Sequence, residues 1–257
     1  AIRLINLIMH RQFLSHKSNI SIIFDDSEEF LDAYISQNYQ YVKDNLENVG
    51  NVVGNHYLIE LSAMLFYLAN YETKNSVTDT EFVLRELKNE IASQFNYEGT
   101  NFEGSSHYAA LATEALILCK LSIQELDQNS DLLISLNRLI LLNKKFLSLL
   151  INNDELSQIG DNDSGRIFYF AFEEEKPLKL TWLIKMIDSL GINEKLSLNN
   201  SNSKFEVSKE VPILKDYKNV KHPEIKVFSK DYEAYAYPEF GIFIWRNDSE
   251  YLSIRCG

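Results

Sequence analysis

Proline is absent from this 257-residue chain before Pro177; all four prolines, Pro177, Pro212, Pro223 and Pro238, come late. A long stretch without helix breakers, and with apolar residues at helical spacing, reads as mainly α. Cysteine is scarce. Cys119 and Cys256 are the only two, which excludes a disulfide framework, and Cys119 sits in an apolar run as a buried thiol would. Long hydrophobic runs are missing as well: the most apolar stretch, 57–69, is broken by Glu60 and Ser62, so no membrane-spanning helix is expected. The first residues, "AIRLINLIMHRQF", carry Arg3 inside the apolar run and no small-residue cleavage site, so no secretory signal is read there. Basic residues are few, 25 against 37 acidic, and the net charge of −12 argues against general nucleic-acid binding. It also counts against an anionic substrate unless local groups overcome the overall field. There is no P-loop, no dinucleotide fingerprint and no nucleophile elbow. The five histidines (His10, His16, His56, His107, His222) have no metal-ligand spacing. "DNDSG" at 161–165 places its glycine one position early for a calcium loop. No metal and no cofactor is expected.

What the chain does contain is a helical series. Residues 26–47 form an amphipathic segment behind the cap candidates Asp25-Asp26-Ser27, and 56–71, "HYLIELSAMLFYLANY", are apolar nearly all round. Residues 79–94 are amphipathic again, with Asp79 or Thr80 as cap, and 105–121 are again almost wholly apolar. Helices are also expected over 131–151 and 178–190, the latter with Pro177 near its first turn. Alternating amphipathic and buried helices favour helical hairpins in two concentric layers over an ordinary bundle or solenoid. The expected organisation is a helical domain over 1–194, a polar linker over 195–230, and a β-rich segment over 231–257. In that last segment "GIFIWR" and "EYLSIR" read as strands joined by Asn247-Asp248-Ser249.

Glycine is the other rarity. Six of the nine fall in pairs, Gly50/Gly54, Gly99/Gly104 and Gly160/Gly165, each inside a polar loop. The first two pairs precede the two buried helices. If alternate helices point the same way, both N-termini open on one face, where unpaired N–H groups and the positive end of the dipole favour carboxylates. Three polar clusters mark these loops: Asn55-His56, Glu103 to His107-Tyr108, and 160–166 with Asn162 and Arg166. Taken singly, each reads more simply as a helix cap or a tight turn. Their joint occurrence at helix mouths points to a site.

"GNHYLIELSAMLFYLANY", then "QFNYEGTNFEGSSHYAALATEALI" and "IGDNDSGR", resemble the heparinase II/III family of polysaccharide lyases, which includes alginate-lyase-like members. The order and spacing are similar: an Asn-His pair, an E-x-S-x-x-Y segment about 50 residues on, then a G-D-x-D-S-type loop. "YPEFGIFIWRNDSEYLSIRCG" resembles the first strands of that family's β-sandwich. The resemblance implies an incomplete α/α toroid of helical hairpins followed by an antiparallel β-sandwich. It implies β-elimination at a uronic acid of an acidic polysaccharide or oligosaccharide.

In that reaction a base removes the proton at C5, next to the carboxylate, and the 4-O-linked sugar leaves. The carboxylate must be neutralised and an enolate-like intermediate stabilised. On this resemblance Asn55 hydrogen-bonds the substrate carboxylate, and His56 assists or serves as base. Tyr108 transfers the proton, Arg166 offers a fork to a second carboxylate, and Glu103 orients its loop; His107 and Asn162 join the substrate-binding set. The family also carries a histidine in a G-x-H-x-H-x-D-like strand segment, which these 257 residues lack. The expectation is therefore a truncated, inactive or very weak lyase. The alternatives are a non-catalytic carbohydrate-binding protein serving polysaccharide assembly and a helical interaction scaffold; a glycoside hydrolase lacks a convincing carboxylate pair.

Overall fold

A computed structural model describes residues 1–16, 25–49, 53–71, 74–126, 131–162, 165–168, 179–192, 233–247 and 249–256. They form two compact units, Ala1–Gly191 and Ile192–Gly257. The linker expected over 195–230, Gly50, His222, Pro177 and the Asp163-Ser164 pair lie outside the described residues, as do the side chains of Asp25, Asp26 and Ser27.

The first unit is mainly helical. Its helices are α1 (Ile2–His16), α2 (Asp25–Asp44), α3 (Asn55–Asn70), α4 (Ser76–Gln94), α5 (Ser106–Glu125), α6 (Asp131–Leu150) and α7 (Thr181–Ser189). Consecutive helices pair as hairpins, α1 with α2, α3 with α4, and α5 with α6. Odd-numbered helices also pack on one another, α1 on α3 and α3 on α5. This explains the sequence pattern. A helix with neighbours on several sides must be apolar all round, and α3 is buried at every residue from Tyr57 to Leu68. Helix α5 is buried from Ala109 to Lys120 without a break. None of the described helices is long and apolar enough to cross a membrane.

Two local differences from the sequence expectation matter. Helix α4 starts at Ser76, so Asp79 lies within its first turn and is no cap. Its buried carboxylate instead accepts two 2.8 Å hydrogen bonds from Lys43 Nζ and one of 2.7 Å from the Tyr39 hydroxyl. This ties α2 to α4, and Tyr39 stacks on Tyr67 of α3 at 4.0 Å between ring centroids. Second, α6 stops at Leu150 and gives way to a hairpin, β1 (Ile151–Asn152) and β2 (Glu155–Leu156). Its turn residues Asn153 and Asp154 have φ of 51° and 66°. Two left-handed residues match the twist of a two-residue hairpin, and Asn and Asp tolerate that conformation best among side-chain-bearing residues.

The second unit holds β3 (Glu233–Tyr237), β4 (Ile242–Arg246) and β5 (Tyr251–Arg255), an antiparallel sheet in the order β3-β4-β5. Ala234 faces Trp245 and Trp245 faces Leu252 across the two ladders. The strands read from "GIFIWR" and "EYLSIR" are thus present, with a third strand preceding them.

The Lys43–Asp79 pair distinguishes the observed geometry from a simple cap at Asp79. Lys43→Met is expected to lower unfolding free energy by about 1–3 kcal/mol, because it leaves a buried carboxylate with one neutral donor. Urea denaturation measures this; an unchanged midpoint would show that Lys43 does not stabilise the fold through Asp79.

Candidate functional site

Helix α3 begins at Asn55 behind Gly54, an N-cap with no side chain to accept the first N–H groups. The missing acceptor comes from a distant segment. Glu103 Oε1 accepts the Asn55 backbone N–H at 2.8 Å, and Oε2 accepts Asn55 Nδ2 at 2.7 Å. A carboxylate at this position meets both the unpaired N–H and the positive end of the helix. Glycine at 54 permits the approach, since a Cβ there would stand 3.2 Å from Glu103 Oε1. Gln94, the last residue of α4, closes the other side by donating from Nε2 to the Gly54 carbonyl at 3.0 Å and to Glu90 Oε2 at 2.8 Å. Burial raises the Glu90 carboxyl above its ordinary range.

The loop between α4 and α5 is held by asparagines. Asn96 Oδ1 accepts from the N–H groups of Glu98 and Thr100, and Asn101 Oδ1 accepts from that of Glu103. The Gly99 carbonyl is bonded by Asn143 of α6 at 2.7 Å. Glu103 is therefore presented by a pinned segment. Helix α5 follows at once, capped by Ser105, whose Oγ accepts the Tyr108 N–H at 3.2 Å.

The β1–β2 hairpin sends the next segment back across this end of α5. Ser106 Oγ donates to the Ser157 carbonyl at 2.8 Å and accepts the Ile159 N–H at 3.0 Å. The Ser105 hydroxyl donates to the Asp161 carbonyl at 2.6 Å. Gly160 has φ of +71°, and a Cβ there would come within 2.8 Å of the Gly104 carbonyl. Two of the glycine loops thus touch backbone to backbone. Beyond them, Glu114 Oε2 accepts the N–H groups of Ile167 and Phe168 at 2.7 and 2.8 Å. Burial pushes its carboxyl up to about 7; those two bonds and the charge of Arg166 oppose the rise.

The sequence-read residues fall into place unequally. Asn55 and Glu103 meet where α3 begins, and His107 and Tyr108 lie in the first turn of α5, which follows Glu103 at once. His107 is buried and Tyr108 half-buried. Asn162 is exposed and Arg166 half-buried, on the segment stapled by Ser105 and Glu114. His56 adjoins Asn55 in sequence, but its side chain is 65% exposed. Its Nδ1 lies 2.9 Å from Glu47 Oε2, while the Glu47 N–H is bonded to Glu60 Oε2 at 2.8 Å. A hydrogen on Nδ1 shared with Glu47 leaves Nε2 as the basic nitrogen. The N-terminus of α3, expected to be open to an incoming carboxylate, is filled from within by Glu103. The second amide hydrogen and the Oδ1 of Asn55 take no part in that clamp.

Glu47, Gln94 and Glu114 were not singled out by the sequence. Glu114 had a visible signal, a lone carboxylate inside "AALATEALILC". Two hollows lie elsewhere, one against Trp245, Tyr251 and Leu252 of the sheet and one near Asn70 and Tyr71 at the far end of α3. Among the described residues no group of three or more His, Cys, Asp or Glu could hold a metal ion. Comparison with known proteins gives no relative: no family model matches the chain, and neither a curated protein nor a solved structure matches it.

The Glu114 staple makes stability pH-dependent. Between its ordinary value of 4.5 and about 7 the unfolded chain has released this proton while the folded chain still holds it. The unfolded state then binds fewer protons, so stability falls as pH rises through that window and levels off above it. The contribution is about 3 kcal/mol, from about 1.4 kcal/mol per pKa unit. Glu114→Gln keeps an oxygen for both backbone N–H groups and removes the proton. Urea titrations at pH 5 and 8 should show the wild type losing stability relative to this variant; parallel pH profiles would rule the buried acid out.

Proposed function

We propose that this chain is the helical part, with the first strands of a β-sandwich, of a polysaccharide-lyase-like protein that acts by β-elimination at a uronic acid. In this reading the hairpins α1–α2, α3–α4 and α5–α6 belong to an incomplete α/α toroid. The observation that supports it is the Glu103 clamp on Asn55. It fixes a primary amide beside the first turn of α5, which carries Tyr108. An amide held by a short bond to a carboxylate that is itself anchored on the backbone N–H of the same residue loses little freedom when it meets a substrate carboxylate, which is what preorganised stabilisation of an enolate requires.

The roles follow from the chemistry. Asn55 gives its remaining amide hydrogen to the carboxylate, reducing its charge so that the C5 proton becomes more acidic. Tyr108 moves the proton, to or from the sugar, and needs nearby donors or positive charge because its ordinary pKa is near 10. His56, oriented by Glu47, assists through Nε2 or acts as the base itself. Arg166 forks to a second uronate carboxylate, and His107 and Asn162 complete the substrate surface. No cofactor is required. Turnover also calls for the strand histidine of the resembled family, which these 257 residues lack. A non-catalytic carbohydrate-binding protein is the second reading; the Asn55 amide can hold a carboxylate whether or not a proton is moved.

Calorimetric titration with oligouronates tests both readings together. Binding is expected, and Asn55→Ala should weaken it about tenfold, the loss of one hydrogen bond to a charged group. Absence of binding would contradict both. Ultraviolet absorbance of the unsaturated product separates them in a protein that also supplies the strand histidine: elimination abolished by Tyr108→Phe supports the lyase, and binding without elimination supports the carbohydrate-binding protein. Steady turnover by the 257-residue chain alone would overturn the requirement for a further histidine.

A further inference from the structure

We infer that the hollow at the C-terminal end of α3 is a separate binding site for a neutral, polyhydroxylated ligand of about one sugar ring. The hollow has a volume of about 250 Å³ and is lined from three helices, α1, α2 and the end of α3. That is below the roughly 300–1,000 Å³ of drug-sized pockets, so it suits a single ring. It does not rest on the lyase reading, because Asn55 begins α3 and this site lies where α3 ends.

Its chemistry is that of hydroxyl recognition. Ile8, Arg11, Gln12 and Ser15 lie at helical spacing along one face of α1, so a single apolar side chain lies beside three polar ones. Arg11 Nε donates to Asp32 Oδ1 at 3.1 Å, and the Tyr71 hydroxyl donates to the same oxygen at 3.2 Å. Gln12 Nε2 donates to Asn70 Oδ1 at 2.5 Å. The groups are thus tied across helices before any ligand arrives, which lowers the ordering cost of binding. Tyr71 is further held by stacking on Tyr67, with ring centroids 4.9 Å apart and planes 11° apart.

Capacity remains within this set. A carboxylate has about four acceptor positions; the two bonds to Asp32 Oδ1 and a longer one of 3.5 Å from Arg11 Nη2 to Oδ2 leave it able to accept one more. Gln12 Oε1 and its second amide hydrogen are also outside them. Acceptors and donors side by side match adjacent hydroxyls, each of which both gives and takes a hydrogen bond. Charge selects against an acid. The Arg11 guanidinium is already neutralised by Asp32, so a ligand carboxylate would meet one balanced pair and no net positive charge.

Nuclear magnetic resonance on the 257-residue chain tests this, with glucose as the neutral probe and glucuronate as the acidic one. Saturable shifts of the Gln12 and Asn70 side-chain amides are expected with glucose and weaker ones with glucuronate. Gln12→Ala, an exposed change on α1 whose fold is checked from the remaining amide spectrum, should reduce glucose affinity about fivefold, one hydrogen bond's worth. Unsaturable shifts, unaltered affinity in Gln12→Ala, or glucuronate binding as tightly as glucose would each overturn the assignment.

Discussion

Helix α3 starts without a cap of its own, and the rest of the site is arranged around that vacancy. Its first N–H is satisfied by Glu103, a residue brought from the segment before α5. This one carboxylate ties the beginnings of the two most buried helices together. It can reach them because Gly54 has no side chain and because asparagines hold the intervening loop in shape. The same bond fixes the Asn55 amide. Helix termination, loop conformation and orientation of a chemically useful group therefore depend on one interaction.

Charge is organised in the same economical way. The formal balance of −12 counts every acid as ionised. Yet burial raises the carboxyls of Glu60, Glu90 and Glu114 above their ordinary values, and they lie on the helices that build this unit. Glu60 supports Glu47, which holds His56; Glu90 supports Gln94, which closes on Gly54; Glu114 holds the segment after Arg166. Glu114, raised to about 7, carries less than its full charge near neutral pH and so repels an anionic saccharide less than the formal count suggests. The objection that an acidic chain should avoid an acidic substrate loses some of its force.

Much of the helical framework was legible because burial all round leaves an unmistakable apolar signature, as in "YLIELSAMLFYL" of α3. The strands of the second unit were legible from short β-rich runs. Features set by distant contacts were not. Asp79 reads as a cap from its neighbours, and only the reach of Lys43 and Tyr39 across from α2 makes it their partner. The Asn153-Asp154 turn was masked by the apolar helix in front of it, although two consecutive left-handed-tolerant residues were a usable sign. Asn55 and Glu103 were both named from sequence, but 48 positions apart in the chain their bond could not be read. Gly160 was legible only as one glycine of a polar loop, whereas it lets two backbones touch.

A double-mutant cycle between Asn55 and Glu103 reaches the centre of this account. Asn55→Ala, Glu103→Ala and the double variant are compared by urea denaturation at neutral pH. A coupling energy of about 1.5–3 kcal/mol, the range for a hydrogen bond to a charged group, is the expected result. Additive losses, with coupling near zero, would contradict the bond by which Glu103 fixes the Asn55 amide.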